Sequence, residues 1–492
     1  MYDLHIDAYR CEYDSDVSRW VVLELKQIKV VQVVCSNSNN HKEGATEKQL
    51  VHPEWGQLGD IRLERVVFDG AVSKAMLDMC QRASKHKCRW KTLHLDNCYS
   101  FDKQDNAVDL ADGYCGSWLP SDMIQKALDL GVCTGLCISS EEGLFVLRLS
   151  TFWVVSKAMS SGRLETFKLS QIAISREQAA ALGEGLRQMT KQKQNQSLEL
   201  SLTCCELAHG VAWELAAGLV HYSRVEALEL SYCNLEDGEL SEIVHALIGH
   251  PTLIVLNLES NRAGPQTLKA LQDLLMSSGC KLEILDLSWQ KNASDIGVLA
   301  DALRGNRYLR TLRFHGHNLG DSFIGRLAKS LAACPRLEVL SLSRNNISEW
   351  GLKTFVAHFT GSSVIRLDGI ISGYSPSIRD EQGATWTLGC VLKLVEENKR
   401  LCDIDYLWYL SNRHRSVLEG LSEKIEHFLD LNNSGRALMG KVPLSLWPDL
   451  LARANERKLW RSVPRTSNVI YNLLRSMPEL LQQQSVVYNN VV

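Results

Sequence analysis

The chain has 492 residues, of which 45% are hydrophobic, and its formal net charge at pH 7 is −3. This composition supports a large apolar core, and so small a net charge does not by itself indicate a nucleic-acid or membrane partner. The sequence contains no run of about 18 apolar residues, and it starts with an acidic segment instead of a signal peptide. We therefore expect a cytoplasmic protein with no membrane partner.

Residues 1–57 form the least regular part of the sequence. Within them, RWVVLELKQIKVVQVV (Arg19 to Val34) alternates and is rich in β-branched residues, which predicts one or two strands. A stacked array of repeats needs a cover over its first apolar layer. We interpret residues 1–57 as the N-terminal cap of the repeats that follow.

Irregular copies of a leucine phrase begin at Leu58. LGDIRLERVVF precedes a predicted helix over Ala71 to Ser84, and RWKTLHLDNCYS precedes an insertion over residues 101–118. This insertion is either a functional loop or a tolerated surface loop. LFVLRLS, from Leu144, and LETFKLS, from Leu164, complete this part, and we expect each phrase to form one strand of the array.

The stretch from Ser197 to Ile347 repeats one phrase. The copies start at positions 197, 225, 253, 282, 309 and 337, so the period is about 28 residues. In each copy two apolar residues, such as Leu228 and Leu230, lie two positions apart, which puts both on one face of an extended strand. Apolar residues at helical spacing follow, and a strand with one helix closes a core only when similar units stack.

A turn residue follows each strand of these repeats. We expect its side chain to point inward and to bond the backbone groups that a tight turn leaves unpaired. The turn residues are Cys205, Cys233, Asn261, Gln290, His317 and Asn345.

The phrase LxxLxLxxN/CxL resembles the ribonuclease-inhibitor type of leucine-rich repeat. The resemblance implies an α/β solenoid, a horseshoe with parallel strands on its concave face and helices on its convex face. It covers most of the chain, and we assign residues 58–412 to the solenoid. It implies a fold and not one function, since unrelated proteins share this scaffold.

The repeats become irregular after Ile347. SVIRLDG is followed by an insertion over residues 372–383. A helix over Val391 to Asn398 and a strand around Ile404 and Tyr406 make the last predicted unit.

Residues 413–492 abandon the leucine phrase, and we predict a helical C-terminal cap. Its helices are expected over Ser416–Leu431, after Pro448, and from about Ser467 to Leu481. The segment from Leu429 to Leu481 also resembles a C-terminal segment of uncharacterised microalgal proteins, and that resemblance implies no activity.

The sequence matches no catalytic or cofactor motif, because GxSxG, HExxH, GxxxxGK[ST] and GxGxxG are all absent. The fifteen cysteines include no CxxC pair, which favours free structural thiols over metal or redox chemistry. His315 and His317 lie two apart, but His317 holds a turn position, which favours a structural role over a metal ligand. We expect no enzyme activity, no cofactor and no metal.

A candidate binding surface remains on the concave side of the strands. Residues that flank the strand leucines are expected to face outward there, with exposed aromatic residues beside charges, as at the centres of protein interfaces. The alternative is that the charges only solvate an open sheet. The candidates are Glu226, Glu229, Tyr232, Asn257, Glu259, Glu283, Asp286, Trp289, Arg310, Arg313, His315 and Arg344.

Three functions compete at this point. The first is a monomeric, non-enzymatic module that binds a protein partner on the concave face. The second is a small-GTPase regulator, since leucine-rich proteins of this class resemble the GTPase-activating protein of the nuclear-transport GTPase. That family ends in a strongly acidic stretch, whereas residues 413–475 here carry 11 Lys/Arg and 6 Asp/Glu. The third, and least favoured, is a nucleic-acid surface on this basic end.

Overall fold

The computed structural model describes residues 4–7, 60–66, 68, 70–85, 87, 89–98, 115–116, 119, 121–140, 145–189, 197–220, 224–290, 297–370, 381–405 and 415–433. The chain divides into two compact units. The first unit is Met1–Leu282 with Lys291–Ser294, and the second is Glu283–Gln290 with Asp295–Val492.

The first unit alternates strands and helices. Its strands are β1 (Leu4–Asp7), β2 (Ile61–Glu64), β3 (Trp90–Asp96), β4 (Cys115–Gly116), β5 (Cys133–Ser139), β6 (Phe145–Val146), β7 (Thr166–Ser170), β8 (Ile172–Ile174), β9 (Leu198–Thr203), β10 (Glu206–Leu207), β11 (Val225–Glu229) and β12 (Val255–Asn257). Its helices are α1 (Gly70–Lys85), α2 (Ser121–Asp129), α3 (Leu149–Ser160), α4 (Arg176–Met189), α5 (Val211–Leu219), α6 (Asp237–Ala246) and α7 (Pro265–Met276).

Two parallel sheets run through the first unit. The main sheet has the order β1-β2-β3-β5-β7-β9-β11-β12, and a smaller sheet has the order β10-β8-β6-β4. The pairs are parallel because a helix carries the chain back to the start of each main strand.

The second unit continues the same alternation. Its strands are β13 (Ile284–Asp286), β14 (Thr311–Arg313), β15 (Val339–Ser341), β16 (Arg366–Asp368) and β17 (Asp403–Asp405), paired in that order. Its helices are α8 (Gly297–Ala302), a short 3-10 turn (Leu303–Gly305), α9 (Asp321–Leu331), α10 (Glu349–Phe359), α11 (Glu381–Glu397) and α12 (Arg415–Asn433).

The strand leucines form the core of both units, as their spacing predicts. Counted from the first leucine of the phrase, the strand leucines hold positions four and six, as Leu228 and Leu230 do. Both are at most 1% exposed. Leu340 and Leu342 hold the same positions in the second unit and are fully buried. Burying one such side chain contributes about 1.5–3 kcal/mol, so each added repeat extends the core.

The turn residues at position nine are buried, as predicted, and all but Gln290 are seen to bond the preceding repeat; the Gln290 amide donates to Ser288 of its own turn. The Cys233 thiol donates to the carbonyl of Leu202 at 2.6 Å. The Asn261 amide donates to the carbonyls of Leu230 at 2.7 Å and Leu258 at 2.9 Å. In each case the acceptor in the preceding repeat is the residue at position six.

The residue at position eight adopts a left-handed backbone in most repeats. The φ angle is 60° at Tyr232, 58° at Trp289 and 55° at Arg344, and glycine takes the same place at Gly316 with φ of 72°. The Tyr232 N–H donates to the next repeat at the Glu259 carbonyl, 2.9 Å away. Because this conformation is costly for L-residues, the hydrogen bonds of the turn must hold it.

One predicted strand was wrong. LFVLRLS does not form a main-sheet strand: Phe145–Val146 lies in the smaller sheet, and Leu149 begins helix α3. The main-sheet strand of this region is β5, which the sequence analysis missed. Its phrase has Cys133, Leu136 and Ile138 at the three apolar positions, so a search for leucines passes over it.

Of two helices predicted near the C-terminus, one begins earlier than expected and the other is confirmed. Helix α11 begins at Glu381, inside the predicted insertion and ten residues before the expected start at Val391. The helix predicted over Ser416–Leu431 is confirmed as Arg415–Asn433. The strands expected over residues 19–34, the insertion at 101–114 and the helices expected after residue 433 lie outside the described residues, so the two caps and the microalgal resemblance stay predictions.

Candidate functional site

The strand face of each unit is the side of its sheet opposite the buried leucines. Within a strand, positions three and five share this face, as Ala227 and Glu229 do on either side of Leu228. Both Glu226 and Glu229 are predicted to face outward here, and for Glu226 this stays a prediction. Glu226 is the extra residue where the register shifts between β9 and β11.

In the first unit, the candidate residues lie on neighbouring strands. Glu229 of β11 is in register with Asn257 of β12. Tyr232 is 51% exposed, and its hydroxyl donates to the Glu259 carboxylate at 3.1 Å. The Asn257 side chain accepts the Glu259 N–H at 2.9 Å. The result is an exposed phenol ring whose orientation is set by an acidic side chain.

The carboxylates of Glu226 and Glu229 add negative charge to this patch. Both are half-buried, and among the described residues neither makes an ion pair or a side-chain hydrogen bond. The charge of Glu229 acts at longer range on Lys168, whose amine pairs with Glu199 at 2.5 Å. Burial lowers the pKa of Lys168. The hydrogen bond and charge of Glu199 and the charge of Glu229 together raise it by more, so the pKa lies above its ordinary value.

In the second unit, two arginines neutralise the acidic candidates. Arg310 lies 3.3 Å from Glu283 of the preceding repeat and 3.4 Å from Glu338 of the following repeat. Arg313 lies 3.3 Å from Asp286, which is only 6% exposed and also accepts the Ser288 N–H. These candidates form a mutually paired row, so their charges stabilise the face and offer little free charge to a ligand.

A second cluster of the same unit is centred on Trp289. This residue is 37% exposed, and its indole lies 5.0 Å from the His315 ring, centroid to centroid. The Arg344 guanidinium lies 5.5 Å from the indole centroid, within the range of a cation–π contact. The indole also packs against Gly316, where an added Cβ would come within 2.4 Å of it. Glycine at this one position therefore makes room for the tryptophan.

Comparison with known proteins agrees with this repeat geometry. No protein-family model matches the chain. A Tonsoku-like protein of Bos taurus is 27% identical over 329 residues, and these cover 59% of this chain and 24% of that protein. The ribonuclease inhibitor of Sus scrofa is 30% identical over 183 residues, or 36% of this chain and 39% of the inhibitor. The chain is similar to leucine-rich repeat proteins, among them the ribonuclease inhibitor, and its parallel strands and helices form an α/β leucine-rich-repeat fold.

The likeness to these relatives is partial in length. The chain spans about a quarter of the Tonsoku-like protein and about two fifths of the inhibitor. Among solved structures, an internalin from Listeria monocytogenes overlaps 82% of this chain and 98% of its own, at a TM-score of 0.26 and 10% identity. At that TM-score the overlap carries no weight beside the sequence relatives.

The leucine-rich repeats also place polar residues on the strand face that the sequence analysis missed. In the first unit, Ser139, Ser170 and Thr203 follow one another in register at the end of β5, β7 and β9. Ser139 donates to Asp96 at 2.6 Å. The signal that could have found them is the alternation counted from position four, which puts positions three, five and seven on this face.

The described residues contain no group of three or more His, Cys, Asp or Glu side chains placed to hold a metal ion. Every cysteine side chain in the described ranges is a free thiol. Burial raises the pKa of Cys98 and of Cys233 to about 12, so both thiols stay protonated and donate within the turns. In the same ranges no helix has the length and apolar character to cross a membrane.

Proposed function

We propose that this chain is a non-enzymatic module that binds a protein partner on the strand face of its leucine-rich repeats, the face that the sequence predicts to be concave. The observation that carries the proposal is the pair of exposed aromatic side chains at position eight. Tyr232 is 51% exposed and Trp289 is 37% exposed, each in its own unit.

These two aromatic residues have the properties of interface anchors. Each is held by its neighbours before any partner binds, Tyr232 by Glu259 and Trp289 by His315, Gly316 and Arg344. A side chain that is already ordered loses little conformational entropy on binding. Trp, Tyr and Arg are also the residues most enriched among interface hot spots.

The neighbouring charges set which partners fit. The Glu226 and Glu229 carboxylates favour basic groups beside Tyr232, while Arg344 favours acidic groups beside Trp289. Such charges mainly affect orientation and the rate of association. The partner's identity and the monomeric, cytoplasmic state stay predictions.

The test is affinity purification of the native protein followed by mass spectrometry, comparing wild type with Tyr232→Gly and Trp289→Gly. Glycine already occupies position eight at Gly316, so both variants keep a tolerated backbone. Removing a hot spot costs about 2 kcal/mol, and we expect roughly 30-fold weaker capture of the partner.

Two exposed tryptophans on helices provide matched controls. Trp213 is 44% exposed on α5 of the first unit, and Trp350 is 64% exposed on α10 of the second. Trp213→Ala and Trp350→Ala should leave the set of partners unchanged. Equal loss with the helix variants, or unchanged capture with both strand-face variants in folded protein, would rule out the strand face.

The alternative, a regulator of a small GTPase, stays a prediction. A GTP-hydrolysis assay with candidate GTPases separates it from the proposal, because a pure binding module leaves the hydrolysis rate unchanged.

A further inference from the structure

Four arginines of the second unit lie between positions two and eight of the phrase, and they differ in their partners. Arg310 and Arg313 pair with Glu283 and Asp286, each at 3.3 Å. Arg366 lies 2.8 Å from Asp368. Within the described ranges, Arg344 has no carboxylate within 4.0 Å. It is therefore the arginine of this group whose charge is not compensated by the described residues.

Arg344 is nevertheless held in place. Its backbone has the left-handed conformation of position eight, and its guanidinium contacts the indole of Trp289, two repeats away. The contact passes over Gly316, since any side chain there would meet the indole. A cation–π contact orients a guanidinium without neutralising it, so its N–H donors keep their affinity for an acceptor.

The surroundings of Arg344 leave this charge unopposed. Burial, followed by the charge of Arg344, lowers the pKa of His315, while the Asp286 carboxylate raises it. His315 is therefore mostly neutral at pH 7. Asp286 is already paired with Arg313 and accepts the Ser288 N–H. The cluster of Trp289, His315 and Arg344 thus carries one positive charge next to an exposed aromatic ring.

We infer that this cluster binds a carboxylate side chain from an acidic segment of the protein partner, with an apolar residue of that segment against the Trp289 indole. The inference rests on the proposed function and specifies the partner chemistry at this site. A guanidinium binds a carboxylate through two parallel N–H donors. Within the described ranges no carboxylate takes these donors of Arg344, so a carboxylate of the partner can do so.

A polyanion such as nucleic acid fits less well. Glu283, Asp286 and Glu338 lie on or beside strands β13 and β15 and would repel a densely charged chain. These three carboxylates already pair with Arg310 and Arg313, which leaves Arg344 as the uncompensated positive charge of the group. A partner segment with one or two carboxylates among neutral residues therefore fits the single uncompensated charge of Arg344 better than a polyanion does.

The test measures binding of two immobilised peptides of equal length with the same leucine and phenylalanine positions, one rich in glutamate and the other in glutamine. Oligothymidylate is a third probe. We expect the wild-type chain to prefer the glutamate peptide. Arg344→Gln should weaken that binding about tenfold and abolish the preference, since a desolvated charge-assisted pair is lost. Arg344→Lys should retain part of it.

The variant and its control are both compatible with the fold. Glutamine occupies position eight at Gln171 with φ of 59°, so Arg344→Gln keeps a backbone that the chain already uses. Arg336 is exposed just before β15, and Arg336→Gln removes the same charge away from the cluster. This control should bind like wild type.

The outcomes separate this inference from the proposed function. If Trp289→Gly loses the partner but Arg344→Gln keeps the glutamate preference, the carboxylate site is wrong and the strand face stands. If oligothymidylate binds better than the glutamate peptide, the acidic-segment inference is overturned. If neither variant affects the peptides or the partner, both proposals fail.

Discussion

The two units build the same turn with a different balance of side chains. In the first unit, three of the described position-nine residues are thiols and Asn261 is an amide: Cys98, Cys205 and Cys233 donate to the preceding repeat at 3.2, 3.6 and 2.6 Å, and Asn261 at 2.7 Å. In the second unit, His317 and Asn345 do so with an imidazole and an amide. The acceptor is the position-six carbonyl in every case.

The difference lies in how many segments one side chain connects. A thiol has one weak donor, whereas an amide has two donors and an acceptor. Asn345 donates to the carbonyls of Phe314 and Leu342 and accepts the N–H groups of His317 and Leu319. The amide therefore both donates to and accepts from the backbone of the turn, whereas the thiol only donates. Stability should thus depend more on an amide at position nine, such as Asn345, than on a thiol, such as Cys233.

The largest effect is expected from Asn345→Ala. Asn345 is 3% exposed, so its removal leaves buried carbonyl and N–H groups without partners. The expected cost is about 3 kcal/mol or more. Urea unfolding followed by circular dichroism would measure it as a lower midpoint.

Asn346 provides the control because it is the next residue along the chain and is exposed. Asn346→Ala should shift the midpoint by less than about 0.5 kcal/mol. A cost for Asn345→Ala no larger than for Asn346→Ala would contradict the role assigned to the amide.

His317 makes the second unit sensitive to acid. Burial lowers its pKa from 6.5 to about 4, against the opposing effects of its hydrogen bond to Leu287 and the charge of Asp286. The unfolded state therefore binds a proton more readily than the folded state does. The contribution of neutral His317 to the free energy of unfolding is fully present above pH 6.5 and is lost as pH falls toward 4. At pH 5 the expected loss is about 2 kcal/mol.

His317→Asn tests this, because asparagine serves the same position at Asn345. Urea midpoints at pH 7 and pH 5 should differ less in the variant than in wild type. An equal acid dependence in both proteins would assign it to other groups.

The inward-pointing turn residues at position nine could be predicted from the sequence because their place follows from spacing alone. Two leucines two residues apart define a strand, and position nine must then face the core, as it does at Asn261 and Asn345. Strand β5 could not be found in this way, because Cys133 and Ile138 replace two of its leucines.

The cluster of Trp289, His315 and Arg344 depends on contacts between repeats, which spacing does not give. Trp289 meets Arg344 because the repeat between them has Gly316 at position eight. The sequence predicted both residues as candidates but gave no reason to join them. It also could not predict that Arg313 would be paired with Asp286 while Arg344 would not.

A smaller effect is expected at the thiols of the first unit. Cys233→Ala removes one weak donor and a sulfur atom, and its expected cost is about 1 kcal/mol. Cys204 lies one position earlier, half-buried, and Cys204→Ser is the control because serine has the same position at Ser260. Urea midpoints would compare the two. A loss at Cys233 as large as that at Asn345 would remove the distinction between the units.

The smallest effect is expected at position eight, where the two units use the same backbone and differ only in side chain. Tyr232→Gly relieves a left-handed conformation that costs an L-residue about 1 kcal/mol, and it loses the hydrogen bond to Glu259, which is worth about the same at an exposed site. The net change in unfolding free energy should be within about 0.5 kcal/mol of zero.

Trp289→Gly should be more costly, because the indole also packs against Gly316 and His315. Thermal unfolding of both variants would measure the contrast. A strongly destabilised Tyr232→Gly would mean that the tyrosine supports the turn, and the exposed ring of the first unit would then be part of the fold instead of an anchor for a partner.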